Sequence, residues 1–168
     1  VKLTSLLFGV LLGINAQAAY QRSYTNLGFE TPDIATGTNV CRLYVNNTKV
    51  TGWLTTHPFY QEEVNGTCIA GIANNGVVSG QILEIWSGFR NGGGFGRISA
   101  REGDQFAELN AEAVTEMSQN VCLVNGEPVS WRLSHNGRNP APDTMNFRAG
   151  TQPIASISTS TTGVGTVT

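Results

Sequence analysis

Short alternating runs, closed off by Asn-Gly, Asn-Asn and Gly-rich pairs, restrict this chain's fold more than any other feature. They recur roughly every 8–15 residues, a spacing that suits strands and turns. Asn26–Glu30 reads as a short strand stopped by Thr31-Pro32-Asp33. In Val40–Val45, Val40, Arg42 and Tyr44 share one side, and Cys41, Leu43 and Val45 the other. Asn46-Asn47 follows as a turn. Gly52–His57 reads as a strand passing into a loop. Two further strands are expected between Gly66 and Phe89, with Asn74-Asn75-Gly76 as the turn between them. Asn125-Gly126 is a strong hairpin signal, with Val121–Val124 and the alternating Val129–His135 as its arms. Thr144–Gly150 and Ile154–Thr161 complete the set. The implied class is all-β, a sandwich or barrel.

One stretch resists this reading. Ala, Glu, Leu and Met between Ala107 and Met117 are good helix formers, and a helix over Gln105–Gln119 would carry Phe106, Leu109, Ala113 and Met117 as a stripe. The same residues also alternate. Gln105, Ala107, Leu109 and Ala111 form one face, and Phe106, Glu108 and Asn110 the other. The all-β surroundings favour the second pattern, because tertiary context overrides propensity in short segments. Gln105–Ala111 is therefore expected to be a strand, with a helical turn over Glu112–Ser118.

The chain opens on Lys2, an apolar run from Leu3 to Ile14 and Ala16-Gln17-Ala18. This is the layout of a secretory signal peptide, residues 1–18, and the run falls short of the roughly 20 residues that span a bilayer. A single sandwich domain over 19–168 follows, secreted, periplasmic or on the cell surface. Only 13% of residues are charged and 20 are glycine, a composition that fits an exported β-protein. Cleavage after Ala18 removes Lys2 and leaves a net charge of about −3, so nothing here attracts nucleic acid or an anionic membrane, and neither a nucleic-acid partner nor membrane insertion of the mature chain is expected.

Export permits disulfides. Cys41 and Cys68, both in strand-like runs, are the favoured pair. Cys122 is then either a buried strand residue or the partner of a cysteine outside this sequence. No Cys-x-x-Cys or Cys/His metal spacing occurs. Gly92–Arg97 lacks the Gly-Lys-Ser/Thr ending of a phosphate loop and reads as a loop at the end of the sandwich.

The ordered segments "NLGFETP", "GWLTTH", "LEIWSGF", "GDQFAELNA" and "SWRLSHNGR" followed by Asp143 together resemble the jelly-roll domains of bacterial exported and surface-anchored proteins, related in fold to galactose-binding-like and carbohydrate-binding modules. The resemblance covers roughly Leu27–Gly150. It implies a jelly-roll β-sandwich whose last strands lie beyond Thr168, with the Cys41–Cys68 region as an inserted hairpin. It also implies a structural calcium ion at Glu30, with Asp33 or Asp143 nearby.

On these strands Glu84 and Trp86 share a face, Glu108 and Asn110 share another, and His135, Arg138 and Asp143 close the Trp131 strand. Glu84, Glu108, Asn110, His135, Arg138 and Asp143 are expected to converge. Carboxylates with Arg and His can hold sugar hydroxyls through charge-assisted hydrogen bonds. Trp53, Trp86 and Trp131 could each offer a flat face to a sugar ring, or pack in the core. No Gly-x-Ser-x-Gly or His-Glu-x-x-His motif occurs, and Glu62-Glu63 would point to opposite faces of a strand, which is a poor glycosidase pair. The leading expectation is an exported, non-catalytic binding or adhesion module for glycans or a surface protein. The alternatives are a structural domain of a surface or envelope protein, and a glycan-cleaving enzyme using Glu84 and Glu108.

Overall fold

A computed structural model of the chain describes residues 22–34, 41–63, 74–87, 99–138, 140–160 and 164–167. The signal segment, Cys68 and Gly92–Arg97 lie outside the described residues, as does the Cys41 side chain, so the Cys41–Cys68 pairing does too. Strands dominate: β1 (Cys41–Asn46), β2 (Leu54–Thr55), β3 (Phe59–Glu63), β4 (Asn74–Ser87), β5 (Gln105–Glu108), β6 (Met117–Ser118), β7 (Leu133–Asn136), β8 (Asp143–Ala149), β9 (Gln152–Thr159) and β10 (Val164–Val167). A single 3-10 turn spans Asn47–Lys49, and no α-helix occurs among the described residues. No described helix is long and apolar enough to cross a membrane.

Every strand pairing among the described residues is antiparallel. The principal sheet is built on β4, which pairs with β1, β3 and β5. Three two-stranded units join β7 to β10, β2 to β6, and β8 to β9. The fold is thus all-β.

Alternation explains the core. Leu43 and Val45 of β1, Leu83 and Ile85 of β4 and Ala107 of β5 face one way, and Ile34, Val50, Phe29, Trp53 and Met117 pack against them. The opposite face of β4 carries Ile82, Glu84 and Trp86, and these are buried as well. A strand covered on both sides strips water from every side chain, which is why a glutamate there behaves unusually.

The disputed segment is extended. Gln105–Glu108 is a strand, shorter than the expected Gln105–Ala111. The helical turn expected over Glu112–Ser118 is absent: bends lead into β6, where Thr55 pairs with Met117. Three other expectations are corrected. Asn26–Glu30 is a turn, because the Asn26 side chain accepts from Thr31 N–H at 2.9 Å and donates to Thr31 O at 2.7 Å, taking the backbone away from strand pairing. Asn74-Asn75-Gly76 opens β4, a single strand of 14 residues whose first part pairs with β3. Asn125-Gly126 does turn, with Gly126 at φ 82° and Glu127 N–H bonded to Val124 O at 3.0 Å, but its arms do not pair. The second arm instead gives β7, whose partner is β10. Cys122 is exposed and outside any strand.

A polar clasp fixes the N-terminal loop to the start of β5. Glu30 Oε1 accepts from Asp104 N–H and Gln105 N–H, both at 3.0 Å. The buried Gln105 accepts from Ile34 N–H at 2.6 Å and donates to Pro32 O at 3.0 Å and to Phe29 O. Gly103 must be glycine here: its φ is +73°, and a Cβ would fall 2.2 Å from Glu30 Oε1.

Candidate functional site

Register brings the site together. In the β4–β5 pair Glu84 stands opposite Glu108, and Trp86 opposite Phe106. In the β1–β4 pair Tyr44 stands opposite Glu84, and Arg42 opposite Trp86. One face of three adjacent strands therefore carries Arg42 and Tyr44, Glu84 and Trp86, and Phe106 and Glu108. Directly opposed side chains have Cβ atoms about 5 Å apart, so the two carboxylates repel unless cations intervene.

Two arginines intervene. Arg138, from the connection after β7, donates from an Nη to Glu108 Oε1 at 2.7 Å. Arg42 donates to Tyr44 Oη at 2.8 Å and reaches Glu84 Oε1 at 3.4 Å. Its guanidinium also lies 4.4 Å from the centre of the Tyr44 ring, a cation–π distance. The second Glu108 oxygen accepts from Trp86 Nε1–H at 3.0 Å. Glu112, from the bend region after β5, accepts from the Tyr44 hydroxyl.

Glu84 sits at the back of this cluster, 1% exposed. Its Oε2 is buried and has no hydrogen-bond partner. Burial, then the charge on Glu108, push its pKa up from 4.5 to about 7, against the pull of Arg42 and Arg138. Burial, the hydrogen bond to Glu112 and the Glu84 charge raise the Tyr44 pKa, so it stays a neutral phenol. The cluster is wet only at its rim, where the side chains of Arg138, Arg42 and Glu108 are 36%, 31% and 19% exposed.

The remaining expected residues divide. Asp143 Oδ2 accepts from Arg138 N–H at 2.7 Å, so it positions the backbone that carries the guanidinium. His135 Nδ1 lies 2.9 Å from Thr159 Oγ1, which already accepts from Gly137 N–H at 2.7 Å. Burial pulls the His135 pKa down, with Asp143 opposing. Asn110 is exposed in the turn that follows β5. Gly137 lets this connection close, since a Cβ would lie 2.1 Å from Thr159 O.

Among the tryptophans, the ligand-facing reading of Trp86 is corrected. Trp86 is buried and offers no open face to a sugar ring. It lies nearly parallel to Phe106, with ring centres 6.4 Å apart. Trp53 stacks on Phe29 at 4.6 Å and donates to Asn26 O at 2.9 Å, and Trp131 tilts against Phe147 at 4.1 Å. Arg42, Tyr44 and Glu112 were not among the expected site residues. The alternation of Arg42 and Tyr44 against Leu43 and Val45 carried a signal for the first two. Glu112 lies in a bend and carried none.

The residues expected to hold calcium have other work. The Glu30 oxygen that faces β5 already accepts two backbone N–H groups. Among the described residues no group of three or more His, Cys, Asp or Glu side chains is arranged to hold a metal ion, and a calcium site needs six to eight oxygens. The melting temperature is expected to be the same with and without EDTA, measured by scanning fluorimetry. A fall of several degrees that added calcium restores would place an ion at the clasp.

No protein-family model matches the sequence, and neither a curated protein nor a solved structure is significantly similar to it.

Proposed function

We propose that the chain is an exported, non-catalytic binding or adhesion module of jelly-roll type whose ligand is a carbohydrate, acting outside the cell or on its surface. The observation that carries this reading is the convergence of Glu84, Glu108 and Arg138 into one charged cluster with a half-exposed rim. Burying charges costs several kcal/mol per ion before pairing offsets it, and such clusters concentrate at sites that bind or react. The rim offers a guanidinium and a carboxylate side by side, the pairing that suits sugar hydroxyls. Phe106, half-buried beside them, adds apolar surface.

The non-catalytic part rests on the burial of Glu84. A glycosidase acid must reach the glycosidic oxygen, and a carboxyl group 1% exposed does not. A purely structural role is the second reading. It is favoured by Glu108, which has one oxygen on Arg138 and the other on Trp86.

A glycan array probed with the mature chain separates the two, with Arg138→Ala as the variant. Binding by the wild type, lost or weakened at least about tenfold in Arg138→Ala while the fold is retained, is the expected result. A variant that melts earlier while the wild type binds nothing would leave the structural reading. Reducing sugar released from any bound glycan would replace both with a hydrolase.

A further inference from the structure

Asn-Gly pairs occur at Asn65, Asn75, Asn91, Asn125 and Asn136, and those at Asn65 and Asn91 lie outside the described residues. The other three share a dipeptide and differ in backbone. An asparagine before glycine can react with its own chain: the next backbone nitrogen attacks the side-chain amide carbon, and no Cβ shields that nitrogen. The rate depends on how freely the nitrogen and the backbone around it can move toward that carbon. Two of the three pairs are held. Asn75-Gly76 lies extended in β4, between the Glu63–Asn74 and Gln61–Val78 pairings, and ring closure would rotate the chain out of the strand. Asn136 ends β7 opposite Val164, and the buried Gly137 N–H donates to Thr159 Oγ1 at 2.7 Å. Strand β9 crowds the same glycine, since Thr159 O stands 2.1 Å from where a Cβ would be.

The third pair is free. Asn125 and Gly126 are both exposed, and a Cβ on Gly126 would meet no atom within 4 Å. The Gly126 N–H donates to no described residue; the turn is closed instead by Glu127 N–H on Val124 O at 3.0 Å. Val124 N–H reaches Glu127 Oε2 at 3.3 Å. The flanking arms lie in no strand, so a rotation at Asn125 breaks no ladder.

We infer that Asn125-Gly126 is a self-modification site, where the folded chain converts an amide into an acid without an enzyme. Gly126 N forms a bond to Asn125 Cγ, the Cγ–Nδ2 bond breaks, and Nδ2 leaves as ammonia with the proton from Gly126 N. Water then opens the succinimide ring. Cleavage between Gly126 N and Cγ gives aspartate. Cleavage between Gly126 N and the Asn125 main-chain carbonyl carbon gives isoaspartate, with the chain rerouted through the side chain. Nothing is oxidised or reduced. Either product places a new anion beside Glu127, whose ion partner Arg22 lies 3.3 Å away. The isoaspartyl form also lengthens the turn by a methylene, so the bond from Glu127 N–H to Val124 O is lost. The inference is independent of the carbohydrate reading, because the turn contributes no residue to the Glu84–Glu108 cluster.

The test incubates the full folded chain in warm, mildly alkaline buffer and then cuts it with trypsin. The three pairs fall in separate peptides, residues 50–90, 102–132 and 133–138. Mass spectrometry with fragmentation locates each change from amide to acid. Asn125 is expected to convert at least about tenfold faster than Asn75 and Asn136, because attack at the held pairs waits on local opening. Both aspartyl and isoaspartyl products should form. In urea, where no pair is held, the three rates should become similar. Similar rates in the folded chain, no conversion at Asn125, or a lead for Asn125 that persists unchanged in urea would each overturn the inference.

Discussion

Glu84→Gln is expected to raise the melting temperature at pH 8 and to flatten the stability of the protein between about pH 5 and 8. In the folded chain the Glu84 carboxyl holds its proton up to about pH 7, whereas an unfolded glutamate releases it near 4.5. Between those values the folded state binds a proton that the unfolded state does not. The stabilising effect is complete below the ordinary carboxylate range, is lost as pH rises toward 7, and does not fall further above it. A shift of this size corresponds to something on the order of 3 kcal/mol. Glutamine keeps the shape and can still accept from Arg42, but it carries no charge to repel Glu108. The wild type should therefore melt roughly 5–10 °C lower at pH 8 than at pH 5, and the variant should not. A flat wild-type profile, or a variant less stable than the wild type at pH 8, would mean that Arg42 and Arg138 overcome the desolvation of an ionised Glu84.

Gln105→Ala is expected to be the most destabilising single truncation of a polar side chain in the described fold. Gln105 is 2% exposed and bonds Ile34 N–H, Pro32 O and Phe29 O. Truncation leaves those backbone groups without partners near the apolar core, where each unpaired group costs about 1–3 kcal/mol. A loss of about 3 kcal/mol or more, read as a fall of roughly 6–12 °C in melting temperature, follows. Glu102→Ala is the control. Its ion pair with Arg132 is exposed at both ends, and its removal should leave the melting temperature unchanged. Equal effects of the two substitutions would show that residues 29–34 contribute nothing to the fold.

These effects arise where the sequence was both clear and misleading. Alternation in Gln105–Glu108 identified the strand and the face that Glu108 shares with Phe106. The same rule placed Glu84 beside Trp86, and strand pairing then set the two glutamates opposite each other. Arg138 was legible as the end of a strand, although its contact with Glu108 depends on packing between elements 30 residues apart. Local patterns failed where a distant partner or a side chain decided the outcome. Asn125-Gly126 has the chemistry of a hairpin turn, yet Leu133–Asn136 pairs with Val164–Val167 instead. Asn74-Asn75-Gly76 has the chemistry of a turn too, and is held extended against β3, across irregular register. Trp86 failed differently: composition shows that a flat ring exists, and only burial shows that this ring is already covered.

The site depends most on Glu84 and Glu108 meeting on one water-poor face. Carbon-13 NMR titration of the glutamate side-chain carboxyls tests this directly. The Glu84 signal is expected to move with a midpoint near pH 7, and that midpoint should fall in Glu108→Gln, because the neighbouring charge that raises it has gone. A Glu84 midpoint in the ordinary carboxylate range, or one indifferent to Glu108→Gln, would contradict the pairing and the site built on it.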